Sequence, residues 1–88
     1  MESYRLAVKE SVAKDLRTVP NADVARILAR VNALSEDPRL SGCEKLSGQE
    51  RYRLRQGNYR ILYEIDDERR TVTVVKVGHR RDVYHRGP

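Results

Sequence analysis

Tryptophan and phenylalanine are absent from this 88-residue chain, and cysteine occurs once. A lone Cys43 excludes an intrachain disulfide and a multi-cysteine zinc site, so a reducing, cytoplasmic setting is expected. No run approaches the roughly 18 apolar residues of a membrane-spanning helix. The opening MESYRLAVKE lacks a basic stretch followed by an apolar one, so neither an export signal nor an anchor is expected. Internal repeats, low-complexity tracts and linkers are missing, and no acidic run has metal-ligand spacing. Neither a metal nor a cofactor is expected. Residues 1–88 are read as one domain, because a chain this small buries only about 60–65% of the surface its unfolded form exposes.

What the chain does have is arginine. Residues 1–50 hold eight basic and eight acidic side chains, so the net charge of +5 comes entirely from residues 51–88, with ten basic against five acidic. Such asymmetry suits a phosphate-rich or acidic partner that docks on the C-terminal half. Within RYRLRQGNYRILYEI, residues 51–65, Arg51, Arg53 and Arg55 alternate with Tyr52 and Leu54. In a strand they share one face.

Periodicity supplies the elements. SYRLAVKE alternates Tyr4, Leu6 and Val8 and reads as a half-buried strand. Ser11 is expected to cap a helix through Val19, ended by Pro20, and Asn21 to cap a second whose apolar stripe is Val24, Ile27, Leu28, Val31 and Leu34. DPRLSGCEKLSG reads as a loop pinned by Leu40 and Leu46. Residues 51–56 and 59–65 form a hairpin around Gly57 and Asn58, and TVTVVKV supplies the last strand. The expected fold is therefore α+β: an N-terminal strand, a helical hairpin and a three-stranded antiparallel meander, with the helices packed on one face of the sheet. The arginines should project from the other face, near Arg60 and the terminal HRRDVY.

Two segments carry a family likeness. KLSGQERYRLRQGNYRILYEI, followed by VVKVGHRRDVY, resembles the RelE/ParE toxin superfamily, in which a Leu-Ser/Gly loop leads to an Arg-rich hairpin and a closing Gly-His-Arg-x-x-x-Tyr segment. The resemblance extends over the whole chain in length and element order. GNYRILYEID and VGHRRDVY are closer to RelE-like ribonucleases than to ParE-like gyrase poisons.

The resemblance implies a prokaryotic type II toxin that works as a metal-independent endoribonuclease, cleaving messenger RNA in the ribosomal A site by 2′-hydroxyl attack. Such chemistry needs a proton acceptor, cations for the phosphorane and a proton donor for the leaving 5′-oxygen. Arg60 and Arg80 match positions that hold the scissile phosphate, where a planar guanidinium fork fits two oxygens. Tyr84 matches a tyrosine that stacks on a base or orients the hydroxyl. Arg51 and Arg53 stand where many members place lysines. Arginine is a poor base, so Arg53 contributes charge, and Arg51, Arg55, Arg81 and His85 join it in binding RNA. Proton transfer falls to His79 or His85, with Glu50 a more remote candidate.

The partners implied are the ribosome, messenger RNA and a cognate RelB-like or Phd-like antitoxin. Operator DNA would be bound only through the antitoxin, since no helix-turn-helix is recognisable. Two alternatives stay open: a ParE-like gyrase inhibitor, and a catalytically degenerate module that binds RNA or antitoxin.

Overall fold

The computed structural model describes residues 3–46 and 50–85, with the side chains of Tyr84 and His85 left out. Its elements are β1 (Arg5–Val8), α1 (Glu10–Leu16), α2 (Asn21–Ala33), β2 (Cys43–Lys45), β3 (Arg51–Gln56), β4 (Tyr59–Asp66), β5 (Thr71–His79) and α3 (Arg80–His85). The five strands form one sheet in the order β1-β5-β4-β3-β2. β1 runs parallel to β5, and every other pairing is antiparallel. The α+β architecture read from the periodicity is observed, with the α1–α2 hairpin packed on one side of the sheet.

Alternation builds the core. Tyr52 and Leu54 of β3, Ile61, Tyr63 and Ile65 of β4, and Val72, Val74 and Val77 of β5 point to one face and meet Val12, Val19, Ile27, Val31 and Leu34. Each such aliphatic side chain contributes about 1.5–3 kcal/mol through burial. Tyr63 is the largest fully buried side chain. It stacks on Tyr52 at 5.7 Å and donates a 2.9 Å hydrogen bond to the Pro38 carbonyl. Burial pushes its phenol far above the usual range, so it is a neutral structural donor.

Several local expectations need correction. The stretch around Cys43 is not all loop: Cys43–Lys45 pairs with β3 as a fourth antiparallel strand. Three residues set among Ser, Gly and Pro are too few to display alternation. Ser11 lies inside α1, whose cap position is Lys9, and Asn21 is the first residue of α2, capped by Pro20; neither cap makes a side-chain hydrogen bond. Pro20 has no N–H to satisfy and enters the helix from an extended conformation. Val8 is 53% exposed and Leu28 45%. Val8 ends an edge strand just before the chain turns into α1, and Leu28 lies to one side of the buried Ile27–Val31–Leu34 line. Among the described residues, no helix is long and apolar enough to cross a membrane.

Candidate functional site

Because Tyr52 and Leu54 are drawn into the core, Arg51, Arg53 and Arg55 emerge on the opposite face of the sheet. The β3–β4 register sets Arg51 against Glu64, Arg53 against Leu62 and Arg55 against Arg60. On the far side, Glu44 of β2 lies opposite Arg53. Two of these cations are neutralised in place: Arg51 binds Glu64 at 2.8 Å, and Arg53 binds Glu44. Among the described residues, the other two have no carboxylate partner. Arg60 Nη1 donates to the carbonyls of Gly57 and Tyr59, at 3.1 and 2.9 Å. Like charges directly opposite in a ladder oppose folding, so the Arg55–Arg60 pair leaves positive potential that an anion would relieve.

These groups line a concavity of about 420 Å³ formed by Arg30, Gly42, Glu44, Arg53, Arg55 and Arg60. Among the described residues, Glu44 is its one carboxylate. The Arg53 hydrogen bond, helped by the charges of Arg53, Arg55 and Arg60, holds that carboxyl below its usual range. A larger hollow of about 860 Å³ lies over the β4–β5 turn, lined by Glu50, Glu64, Asp66, Asp67 and Glu68 beside Arg51 and Arg69. Its carboxylates repel phosphate, so size does not identify the site. Glu50 belongs to this acidic hollow, where it pairs with Lys45 at 3.4 Å, and not to the arginine concavity. Among the described residues, no group of three His, Cys, Asp or Glu side chains could hold a metal ion.

The terminal segment reaches the same region through one turn and one glycine. Arg80 N–H donates to the Asn58 carbonyl at 2.7 Å, which joins the start of α3 to the turn whose Gly57 carbonyl holds Arg60. Gly78 pairs with Arg60 across β4–β5. A Cβ on Gly78 would stand 2.9 Å from Val83 Cγ2, so only glycine lets α3 lie this close to the sheet. Arg80 and Arg81 are exposed on α3. The roles expected of Tyr84 and His85 rest on side chains outside the described residues.

His79 goes elsewhere. In β5, Val74 faces Tyr63 and Lys76 faces Leu62, so Val75 is an extra residue in a bulge. Beyond the bulge the alternation inverts: Gly78 falls on the arginine face and His79 on the helix side. There His79 lies opposite Tyr59, edge-on at 5.7 Å between ring centroids, and its Nδ1 accepts the Arg81 N–H at 3.2 Å. It borders a separate hollow with Lys14, Asp15 and Lys76. The fold thus gathers Arg53, Arg55 and Arg60, anchors the Arg80 backbone at the neighbouring Asn58 turn, leaves Arg51 tied to Glu64, and sets His79 apart.

Sequence reasoning missed three residues of this concavity, Arg30, Gly42 and Glu44. Glu44 lies in a strand too short to recognise. Arg30 sits on α2 beside the apolar stripe, and no local pattern marks it as belonging with β3.

Residues 6–84 match the family profile described as "ParE toxin of type II toxin-antitoxin system, parDE". The toxin RelG of Mycobacterium tuberculosis is 36% identical over 91 residues, covering 94% of this chain and 98% of that protein. The toxin-antitoxin complex RelBE2 from Mycobacterium tuberculosis contains a chain that superposes with TM-score 0.78 at 30% identity, covering 88% of this chain and 98% of its own. A chain of the archaeal RelE-RelB complex from Pyrococcus horikoshii gives TM-score 0.79 at 28% identity, covering 88% and 94%.

Proposed function

This chain belongs to the ParE toxin family of the RelE/ParE superfamily and is a toxin of a type II toxin-antitoxin system; from that premise we propose that it is an endoribonuclease that cleaves messenger RNA in the ribosomal A site. The observation that carries the reading is the gathering of Arg53, Arg55 and Arg60 in one concavity on the sheet face opposite the hairpin. A stretch of RNA backbone presents anions that such a face attracts, and a pentacoordinate phosphorane is more charged than the diester it comes from.

Arg60 is the best-placed phosphate ligand. Two backbone carbonyls fix its Nη1, which leaves the rest of the fork for phosphate oxygens. Arg80 approaches from the Asn58 turn, and Tyr84, on the same short helix, stacks on a base or orients the 2′-hydroxyl. The proton acceptor is Glu44 in preference to His79, since Glu44 lines the concavity and His79 lies across the sheet. While Arg53 holds it, Glu44 is ionised but weakly basic. Capture of Arg53 by a phosphate would free the carboxylate and raise its basicity as the substrate arrives.

The partners that follow are the ribosome and messenger RNA and, separately, a RelB-like antitoxin; the last is supported by likeness to chains of the RelBE2 toxin-antitoxin complex of Mycobacterium tuberculosis and the RelE-RelB complex of Pyrococcus horikoshii. The family description favours a second reading, a ParE-like gyrase inhibitor. Primer extension on messenger RNA incubated with ribosomes and the purified chain, run beside a gyrase supercoiling assay, separates the two. A-site cleavage with unaltered supercoiling is expected. Supercoiling inhibition without cleavage would overturn the nuclease reading.

A further inference from the structure

We infer that Arg30 of α2 forms a second phosphate subsite, so that the RNA-binding groove continues from Arg55 and Arg60 around the β2 edge of the sheet toward the helical layer. This deepens the reading of the arginine face as an RNA surface and rests on it. α2 packs on the other side of the sheet, burying Ile27 and Val31, and a cation on it would ordinarily be screened from the arginine face by the strands. Gly42 marks the edge where Arg30 meets the sheet. It directly precedes Cys43, which pairs with Leu54, so the antiparallel register brings Gly42 alongside Arg55 at the sheet edge. Its backbone has φ 94°, a conformation that suits glycine, and the nearest atom to the Cβ it lacks is Arg30 Nη2, at 3.9 Å. At that edge the guanidinium lines the concavity together with Arg53, Arg55 and Arg60.

Arg30 also differs from Arg26, the other cation of α2, which lies one turn earlier and is tied to Asp23 at 3.2 Å. The Nε of Arg30 is buried and has no hydrogen-bond partner among the described residues. Among the described residues no carboxylate pairs with Arg30, and a half-buried guanidinium whose Nε lacks a partner gains from an anion that completes it. The spacing of groups along an edge suits a flexible polyanion with repeated phosphates, and single-stranded RNA has that chemistry.

The test measures the affinity of the intact chain for a short labelled oligouridylate across about 50–200 mM salt, because each phosphate contact on a single strand contributes roughly 0.7 to the slope of log K against log salt. Arg30→Ala should lower that slope by about 0.7, whereas Arg26→Ala, which removes the same charge from the same helix, should change it much less. Arg30→Lys, which keeps both stem and charge, should restore the parent slope and separates lost contact from lost packing. Equal effects of Arg30→Ala and Arg26→Ala would overturn the inference, since net charge alone would then explain both. So would polyglutamate binding that depends on Arg30 while RNA binding does not, which would assign the subsite to an acidic protein segment. If the parent chain fails to bind the oligonucleotide at all, the RNA reading of the whole face falls. If the parent binds with a slope that Arg30→Ala leaves unchanged, only the subsite falls.

Discussion

His79 and Tyr59 face each other across β4–β5 with their rings edge-on, centroids 5.7 Å apart, on the side of the sheet away from Arg60. A histidine in this position braces the end of the sheet. His79→Gln should therefore leave the single-turnover cleavage rate on saturating ribosomes within a few-fold of the parent. It should lower stability by about 0.5–1.5 kcal/mol, the contribution of an aromatic pair. Urea unfolding and cleavage kinetics on the same preparation check both halves, and a loss of rate without loss of stability would return His79 to the chemistry.

Arg60 presents the contrary case. It is not part of the hydrophobic core cluster, and its removal leaves unmade two bonds, one to the exposed Gly57 carbonyl and one to the part-buried Tyr59 carbonyl. Arg60→Ala is expected to fold normally and to lower cleavage by about 10²–10³-fold, the usual cost of deleting one charge-stabilising donor. Growth arrest on expression should be relieved in parallel. Arg80→Ala should behave alike, because its backbone anchor to Asn58 survives the change.

Gly78 sets how closely α3 approaches the sheet. Gly78→Ala places a methyl 2.9 Å from Val83 Cγ2. Overpacking of this kind costs about 1–3 kcal/mol, and moving α3 relieves it at the expense of the Arg80 and Tyr84 positions. Cleavage should fall much more than the thermal midpoint, and amide exchange should quicken in residues 80–85 but not in β3 or β4. Unchanged exchange in α3 would show that the methyl is accommodated without moving it.

The core tolerates less. Leu54 and Ile61 are fully buried and paired across β3–β4. Leu54→Ala or Ile61→Ala should cost about 2–5 kcal/mol, and a domain of this size has little more to lose. Soluble yield and the urea midpoint report the loss, and ribosome binding should fail only in proportion to the unfolded fraction.

Acid stability should reflect Asp67. Its carboxylate accepts hydrogen bonds from Arg39, at 3.0 Å, and from Tyr4, at 2.6 Å, tying the N-terminal segment and the segment before β2 to the β4–β5 turn. The Arg39 bond leads in holding its pKa below the ordinary 3.8. A depressed carboxylate stabilises the fold fully above its unfolded pKa and ceases to do so as the pH falls through the folded value. Asp67→Asn should therefore be less stable than the parent at neutral pH, with the difference shrinking below about pH 4. Urea midpoints of both proteins against pH measure this, and a difference independent of pH would assign the effect to shape and not to charge.

Much of this protein is local. Period-two alternation in RYRLRQ and YRILYEI puts Tyr52, Leu54, Ile61 and Tyr63 in the core and the arginines outside, and helical spacing does the same for Ile27, Val31 and Leu34. Fold class, hairpin turn and the charged face follow from those periods, since each is a property of neighbours in the chain. The make-up of the concavity was decided elsewhere. Whether Cys43–Lys45 pairs at the sheet edge depends on a partner strand, so Glu44 could not be assigned to Arg53 in advance. The meeting of Arg30 with Gly42 requires a helix and the sheet edge to come together across layers, which no single period records. The bulge at Val75 inverts the face of everything after it, and β-branched residues on both sides of TVTVV conceal where the alternation breaks. A one-residue slip is therefore enough to carry His79 away from Arg60 and bring Gly78 beneath α3. Periodicity determines which residues share a face within an element, whereas the pairing of distant elements determines which faces meet.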